Sequence, residues 1–127
     1  MSARLDLGPD ERDELARLLA GASLHALLRD WAAFVSAVER GYDDSIYDYT
    51  NDLSARDALE RVIAPAGPSL RAALEAVVTP DDRRFEAATT ESARPLGEGR
   101  PNWWWRRVPR RPSAELADDL ASLGYLR

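Results

Sequence analysis

The residues with types and spacing suited to chemistry are gathered in two short stretches of this 127-residue chain. The first runs from Tyr42 through Asp43, Asp44, Tyr47 and Asp48 to Asn51 and Asp52. Asp44, Asp48 and Asp52 stand four apart, so a helix lines them up on one face. Carboxylates so placed repel one another. They are tolerated if water solvates the face, if a hard divalent cation such as magnesium takes their oxygens, or if a basic partner protein covers them. The second stretch runs from Trp103, Trp104 and Trp105 through Arg106, Arg107, Val108 and Pro109 to Arg110, Arg111 and Pro112. Tryptophan and arginine are the side chains most enriched at binding hot spots, and arginine beside aromatic faces also grips single-stranded nucleic acid. Arg106, Pro109 and Pro112 also match the spacing of a polyproline ligand. The plain alternative is that the tryptophans fill a core while the arginines offset an acidic body.

Other chemistry has little to work with. His25 is the only histidine, and no Ser-His-Asp or His-x-x-x-His spacing surrounds it, so it reads as a capping or surface residue. The absence of cysteine excludes disulfides, thiolate nucleophiles and cysteine-based zinc sites. No catalytic residue, metal or cofactor is assigned. All 17 basic residues are arginine, a composition that points to a GC-rich bacterial genome. A net charge of −5 disfavours nucleic acid as the main partner, because a phosphate backbone is held by a positive surface field. That charge is unevenly spread: residues 1–91 carry −8, residues 92–112 carry +5, and the remainder carries −2. No apolar run approaches the ~18 residues of a membrane span, and the first residues lack the apolar stretch of a secretory signal. The expectation is a cytoplasmic chain that does not enter a membrane.

The elements that must position these residues are mostly helical. Pro9 with Asp10 and Glu11 opens a helix carrying Leu15, Leu18 and Leu19. Ser23 caps a longer one whose Leu24, Leu27, Leu28, Trp31, Phe34, Val35 and Val38 recur at three- and four-residue steps, closing near Gly41. A short helix follows with Ile46, Tyr49 and Leu53. Ser54 and Asp57, spaced like a capping box, predict a restart toward Leu59, Val62 and Ile63. From Ser69 a further helix runs to Thr79, where Pro80 is expected to break or kink it before Phe85 and Ala88. Trp103 to Val108 read as extended, since aromatics favour strands and Pro109 biases its predecessor away from helical angles. Ser113 caps a last helix with Leu116, Leu120 and Leu123. The predicted fold is mainly α: one domain over 1–127, an irregular bundle of five or six helices with room for one short hairpin near the tryptophans.

Two strings resemble a pattern in small bacterial proteins of unknown function. One contains Trp31, Phe34, Val35, Val38, Glu39, Gly41 and Tyr42, then residues 45–53, then Arg56 and Asp57. The other contains Phe85 to Thr89 and the tryptophan-arginine run. Short acidic helical proteins of this kind look like the immunity proteins that neutralise bacterial toxins; the resemblance carries no activity and no catalytic residue with it.

Two functions follow as expectations. The first is a non-enzymatic protein-binding module, of immunity or antitoxin type, that meets a basic partner through Tyr42, Asp44, Tyr47, Asp48 and Asp52 together with Trp104, Arg106 and Arg107. The second is a small enzyme or ligand-binding protein whose pocket lies between the tryptophan run and the acidic helix, with Asp48 or Asp52 as general base and Arg106 or Arg107 holding an anion. Since alternate residues of a strand face opposite ways, one helical body cannot cover all three tryptophans. Two are expected to be buried and one partly exposed.

Overall fold

The computed structural model describes residues 5–127. Its elements are five helices, α1 (Pro9–Leu19), α2 (Leu24–Arg40), α3 (Ile46–Ile63), α4 (Pro68–Ala88) and α5 (Ala114–Ser122), with two strands, β1 (Thr89–Glu91) and β2 (Arg107–Pro109), and a 3-10 turn at Trp103–Arg106. The architecture is the mainly helical bundle with one small hairpin that the sequence predicts. No single helix among the described residues is long and apolar enough to cross a membrane.

The three- and four-residue apolar repeat places α2 at the centre. Trp31, Phe34, Val35 and Val38 are all buried, and α3 and α4 pack on either side of the stripe. Ser23 Oγ accepts the Ala26 N–H at 3.2 Å and so starts this helix. Gly41 closes it with φ +100°, where a side chain would be strained and would also press on the Arg111 carbonyl 3.4 Å away. Phe34 sits at the middle of an aromatic cluster, its ring 5.4 to 5.9 Å from those of Trp31, Tyr42, Tyr49 and Phe85. The acids opening α1 also bind it to the start of α4: Glu14 accepts from the Gly67 N–H at 2.7 Å and Glu11 from the Ser69 hydroxyl at 2.8 Å.

Three local expectations give way to tertiary contacts. The restart at Ser54 is absent: α3 runs unbroken for 18 residues, Ser54 Oγ donates to the Asn51 carbonyl, and Asp57 is engaged elsewhere. Pro80 lies inside α4 without ending it. The ring is on the exposed side, and the residues on both sides of it, Val78 and Phe85, are buried in the core while Asp82 is bonded to α2 and α3, so both halves are fastened to the same body. Trp103 to Arg106 form a 3-10 turn in place of the expected strand, which begins only at Arg107.

The reason for that turn is a polar network inside the bundle. Asp57 Oδ1 accepts the indole N–H of both Trp104 and Trp105 at 2.9 Å, and its Oδ2 accepts from Arg100 at 2.8 Å. Adjacent residues of a strand point to opposite faces, so two consecutive indoles reach one oxygen only if the backbone turns between them. Beside it, Arg56 lays its guanidinium on Asp82 through two bonds of 2.9 and 3.0 Å, donates to Glu60 at 3.0 Å, and stacks 4.5 Å from the Trp104 ring. Trp31 donates to the same Asp82 at 3.0 Å. Every buried side-chain nitrogen and oxygen among the described residues has a partner, as a buried charge requires.

The hairpin then pairs Thr89 with Pro109, Thr90 with Val108 and Glu91 with Arg107 in antiparallel register. Beyond it the chain covers the outer side of the tryptophans: Ser92 N–H bonds to the Arg106 carbonyl, Leu96 N–H to that of Trp105, and Ala93 N–H to that of Tyr125. Trp104 and Trp105 are therefore buried and Trp103 is about one-third exposed, the two-to-one division expected from the sequence.

Removing the centre of this arrangement has a large expected cost. Trp31→Ala lowers stability by about 3–5 kcal/mol, the loss typical of a deleted buried aromatic, as read from the urea unfolding midpoint. Asp57→Ala strands two buried indole N–H groups and lowers stability by about 3 kcal/mol. Its tryptophan emission shifts to the red. A midpoint and spectrum like those of the parent would show that Asp57 does not hold the turn.

Candidate functional site

The acidic stretch runs from the segment before α3 into its N-terminal half: Asp43 and Asp44 precede the helix, so of the three acids expected on one helical face only Asp48 and Asp52 are on it. Ser45 caps the helix, accepting the Asp48 N–H at 3.3 Å and returning its hydroxyl to Asp48 Oδ2 at 2.8 Å. This fixes Asp48 on the surface at the positive end of the helix dipole, where a carboxylate is favoured. Asp43, Asp44, Asp48, Asn51 and Asp52 are exposed, and between them Tyr47 projects into water, 82% accessible. None of the four aspartates takes part in an ion pair among the described residues, although the same chain pairs Arg56, Arg84 and Arg100 with other acids. Asp44 shows the resulting strain: its carboxyl is raised above the ordinary range, first by lost hydration and then by the charges of Asp48, Asp43 and Asp52.

Three residues expected at a binding surface are held inside instead. The Tyr42 ring is buried against Phe34 and Tyr49, and only its hydroxyl reaches outward, donating to Asp52 Oδ2 at 2.7 Å. Burial, then that bond and the neighbouring carboxylates, pushes its ionisation far up, so it stays a neutral donor. Trp104 is a core residue because its indole N–H must meet Asp57. Arg107 is half-buried and spent on the fold: it donates to Thr89 Oγ1 at 2.7 Å and to the Thr89 and Glu86 carbonyls at 3.0 and 3.2 Å. Pro109 is buried in β2 and Pro112 bridges to Tyr42, so the proline spacing is not displayed as a polyproline ligand.

The pocket expected between the tryptophan run and the acidic helix is not formed by those residues. Asp52 lines a groove between α2 and α3 with Asn51, Phe34, Ala33, Ala55 and Arg61. Arg106 lines a different cleft, of about 570 Å³, under residues 94–101, and neither Asp48 nor Arg107 borders it. General base and anion holder are thus not brought together. Of the expected surface residues, Asp44, Tyr47, Asp48 and Asp52 are exposed, with the three carboxylates close enough to act on one another, and Arg106 borders a separate cleft. His25 is exposed, and no group of three or more metal-binding side chains is assembled among the described residues.

Arg94 and Arg100 in the cleft carry no functional reading in the sequence, and Tyr125 is legible there only as chain that could fold over the outer face of the tryptophans. Arg94 donates to the Leu123 carbonyl and stacks 4.2 Å from the Tyr125 ring, a contact across 31 positions that no local pattern encodes. The available signal is Pro95, Gly97, Gly99 and Pro101 alternating between arginines. Gly97 is required there because a side chain would come within 2.7 Å of the Arg100 stem.

Comparison of the chain with protein-family models, with curated proteins and with solved structures finds no match.

The crowding at Asp44 gives a signed expectation. A carboxyl raised in the folded state makes no difference below the ordinary aspartate range near pH ~3.9 and penalises the fold once pH has risen past its folded value. Asp44→Asn therefore melts at the same temperature as the parent at low pH and at a higher temperature at neutral pH, and the gain shrinks as salt screens the repulsion. An unchanged or lowered melting temperature at pH 7 in low salt would show that the acids do not repel.

Proposed function

We propose that this protein is a non-enzymatic binding module of the immunity or antitoxin inhibitor type, whose acidic face engages a basic protein partner. The observation that carries this reading is Tyr47, 82% exposed next to Asp48 in a stretch with four exposed aspartates, none of them ion-paired among the described residues. An exposed tyrosine offers a large rigid contact at small entropic cost, and unpaired carboxylates around it offer acceptors to arginine and lysine. Asp48 and Asp52 also serve the fold through Ser45 and Tyr42, whereas Asp44 is crowded by its neighbours' charges, as its raised carboxyl indicates. Acidic surface of this kind steers a basic partner toward encounter and repels acidic ones. The adjoining α2–α3 groove, floored by Phe34 and small alanines, gives apolar side chains of the partner a place beside the charges. Asp52 is held ready by the Tyr42 hydroxyl.

The test is affinity capture from a lysate of the encoding organism at low and moderate salt, with three baits. The parent and Arg106→Gln should each retain one stoichiometric basic protein, and raised salt should weaken it. A Tyr47→Ala, Asp48→Arg bait should lose it, since a hot-spot side chain contributes about 2 kcal/mol or more and the reversed charge adds repulsion. Retention by that bait, or no protein recovered by the parent, overturns the proposal.

A further inference from the structure

Away from the acidic face, residues 94–101 and the C-terminal Tyr125 enclose the cleft of about 570 Å³, a size within the roughly 300–1,000 Å³ of small-molecule sites. We infer that this cleft binds a small organic oxyanion, its phosphate or carboxylate held by Arg106 and its apolar body laid along Leu96 and Tyr125. Three guanidiniums, those of Arg94, Arg100 and Arg106, border it; with Arg100 offset by Asp57, the other two stand against one carboxylate, Glu98, so the cleft keeps a positive balance in a chain of net charge −5.

The three arginines do different work. Arg94 is fixed by the Leu123 carbonyl and the Tyr125 ring, and Arg100 by Asp57 and the Trp105 ring. Both are held in place, but the charge of Arg100 is offset by Asp57, so the standing positive charge beside Arg106 is that of Arg94, which needs no reorganisation when a ligand arrives. Arg106 has no hydrogen bond or ion pair from its side chain among the described residues, although its backbone carbonyl is anchored by the Ser92 N–H at 2.8 Å. An arginine held at its base, free at its head and bordering a positive concavity is placed to take an oxyanion through two parallel N–H bonds. Leu96, Pro95, Pro101 and the Tyr125 ring make the remaining wall largely apolar, which an inorganic ion alone would leave uncovered. The ligand is therefore an acid with an apolar or aromatic body.

The experiment is thermal stabilisation and calorimetric titration with three probes at matched ionic strength: phenyl phosphate, benzoate and inorganic phosphate. Phenyl phosphate and benzoate separate a phosphate site from a carboxylate site, and inorganic phosphate reports the contribution of the apolar wall. The expected result is saturable binding of at least one organic probe, weakened about tenfold in Arg106→Gln by loss of one charge-assisted contact, with inorganic phosphate binding more weakly than phenyl phosphate. Because the Arg106 side chain makes no hydrogen bond or ion pair among the described residues, the variant should melt with the parent when no probe is present. Absence of saturable binding by both organic probes, equal affinity in Arg106→Gln, or inorganic phosphate binding as well as phenyl phosphate would each overturn the assignment. Since Arg106→Gln leaves the acidic face intact, this outcome is independent of partner capture.

Discussion

Two carboxylates, Asp57 on α3 and Asp82 on α4, receive three indole N–H groups and two guanidiniums inside an otherwise apolar body, and the course of the last third of the chain depends on them. An apolar core alone accepts many arrangements of four tryptophans and a few arginines, because hydrophobic attraction has no direction. Hydrogen bonds to a buried carboxylate do have direction. Leaving any member unpaired is expensive in a low dielectric, so a register slip in α3, or a strand in place of the turn at Trp103, is penalised at several atoms together. Such a network adds less to net stability than its list of bonds implies, since the charges had to leave water. Its contribution is to select one packing.

The same two residues organise what lies on the surface. By drawing Trp104 and Trp105 inward, Asp57 leaves Trp103 at the edge and turns Arg106 outward toward the cleft. By taking Arg100, it lays the stem of that residue over Gly97 and Trp105 and shapes the loop of residues 94–101. The positive cleft is thus built from arginines that the core has already positioned.

Charge separation in the sequence becomes separation in space. Arginines of the 92–112 segment turn largely to backbone carbonyls: Arg107 to Thr89 and Glu86, Arg110 to Ala87, Arg111 to Glu39, and Arg94 to Leu123. They do not neutralise Asp43, Asp44, Asp48 or Asp52, and neither does Arg56, which is buried with Asp82 and Glu60. The acidic face stays unpaired among the described residues and the basic segment stays largely unpaired by carboxylates, so the two surfaces keep opposite charge.

The chain's local patterns determined the helices whose signals are periodic and short-range. Pro9 with its acids, Ser23 before the Trp31 stripe, Gly41, and Ser113 before Leu116 each act through bonds to residues a few positions away, so they can be read without the fold. Asp48 and Asp52 were legible as neighbours for the same reason, since they stand one turn apart on α3, whereas Asp44 precedes the Ser45 cap and is brought to them by the fold. What the tertiary structure decided were the places where a local preference met a distant partner. Ser54 and Asp57 are spaced as a cap, but Asp57 is needed by indoles 47 and 48 positions away, and α3 continues. Pro80 lacks an N–H, but Phe85 and Asp82 fasten the far half of α4 to the core. Three adjacent tryptophans favour a strand, but one carboxylate oxygen with two donors to satisfy makes them turn. The inward fate of Tyr42 and Trp104 and the meeting of Arg94 with Tyr125 rest on contacts between residues far apart in sequence, and such contacts leave no trace in spacing.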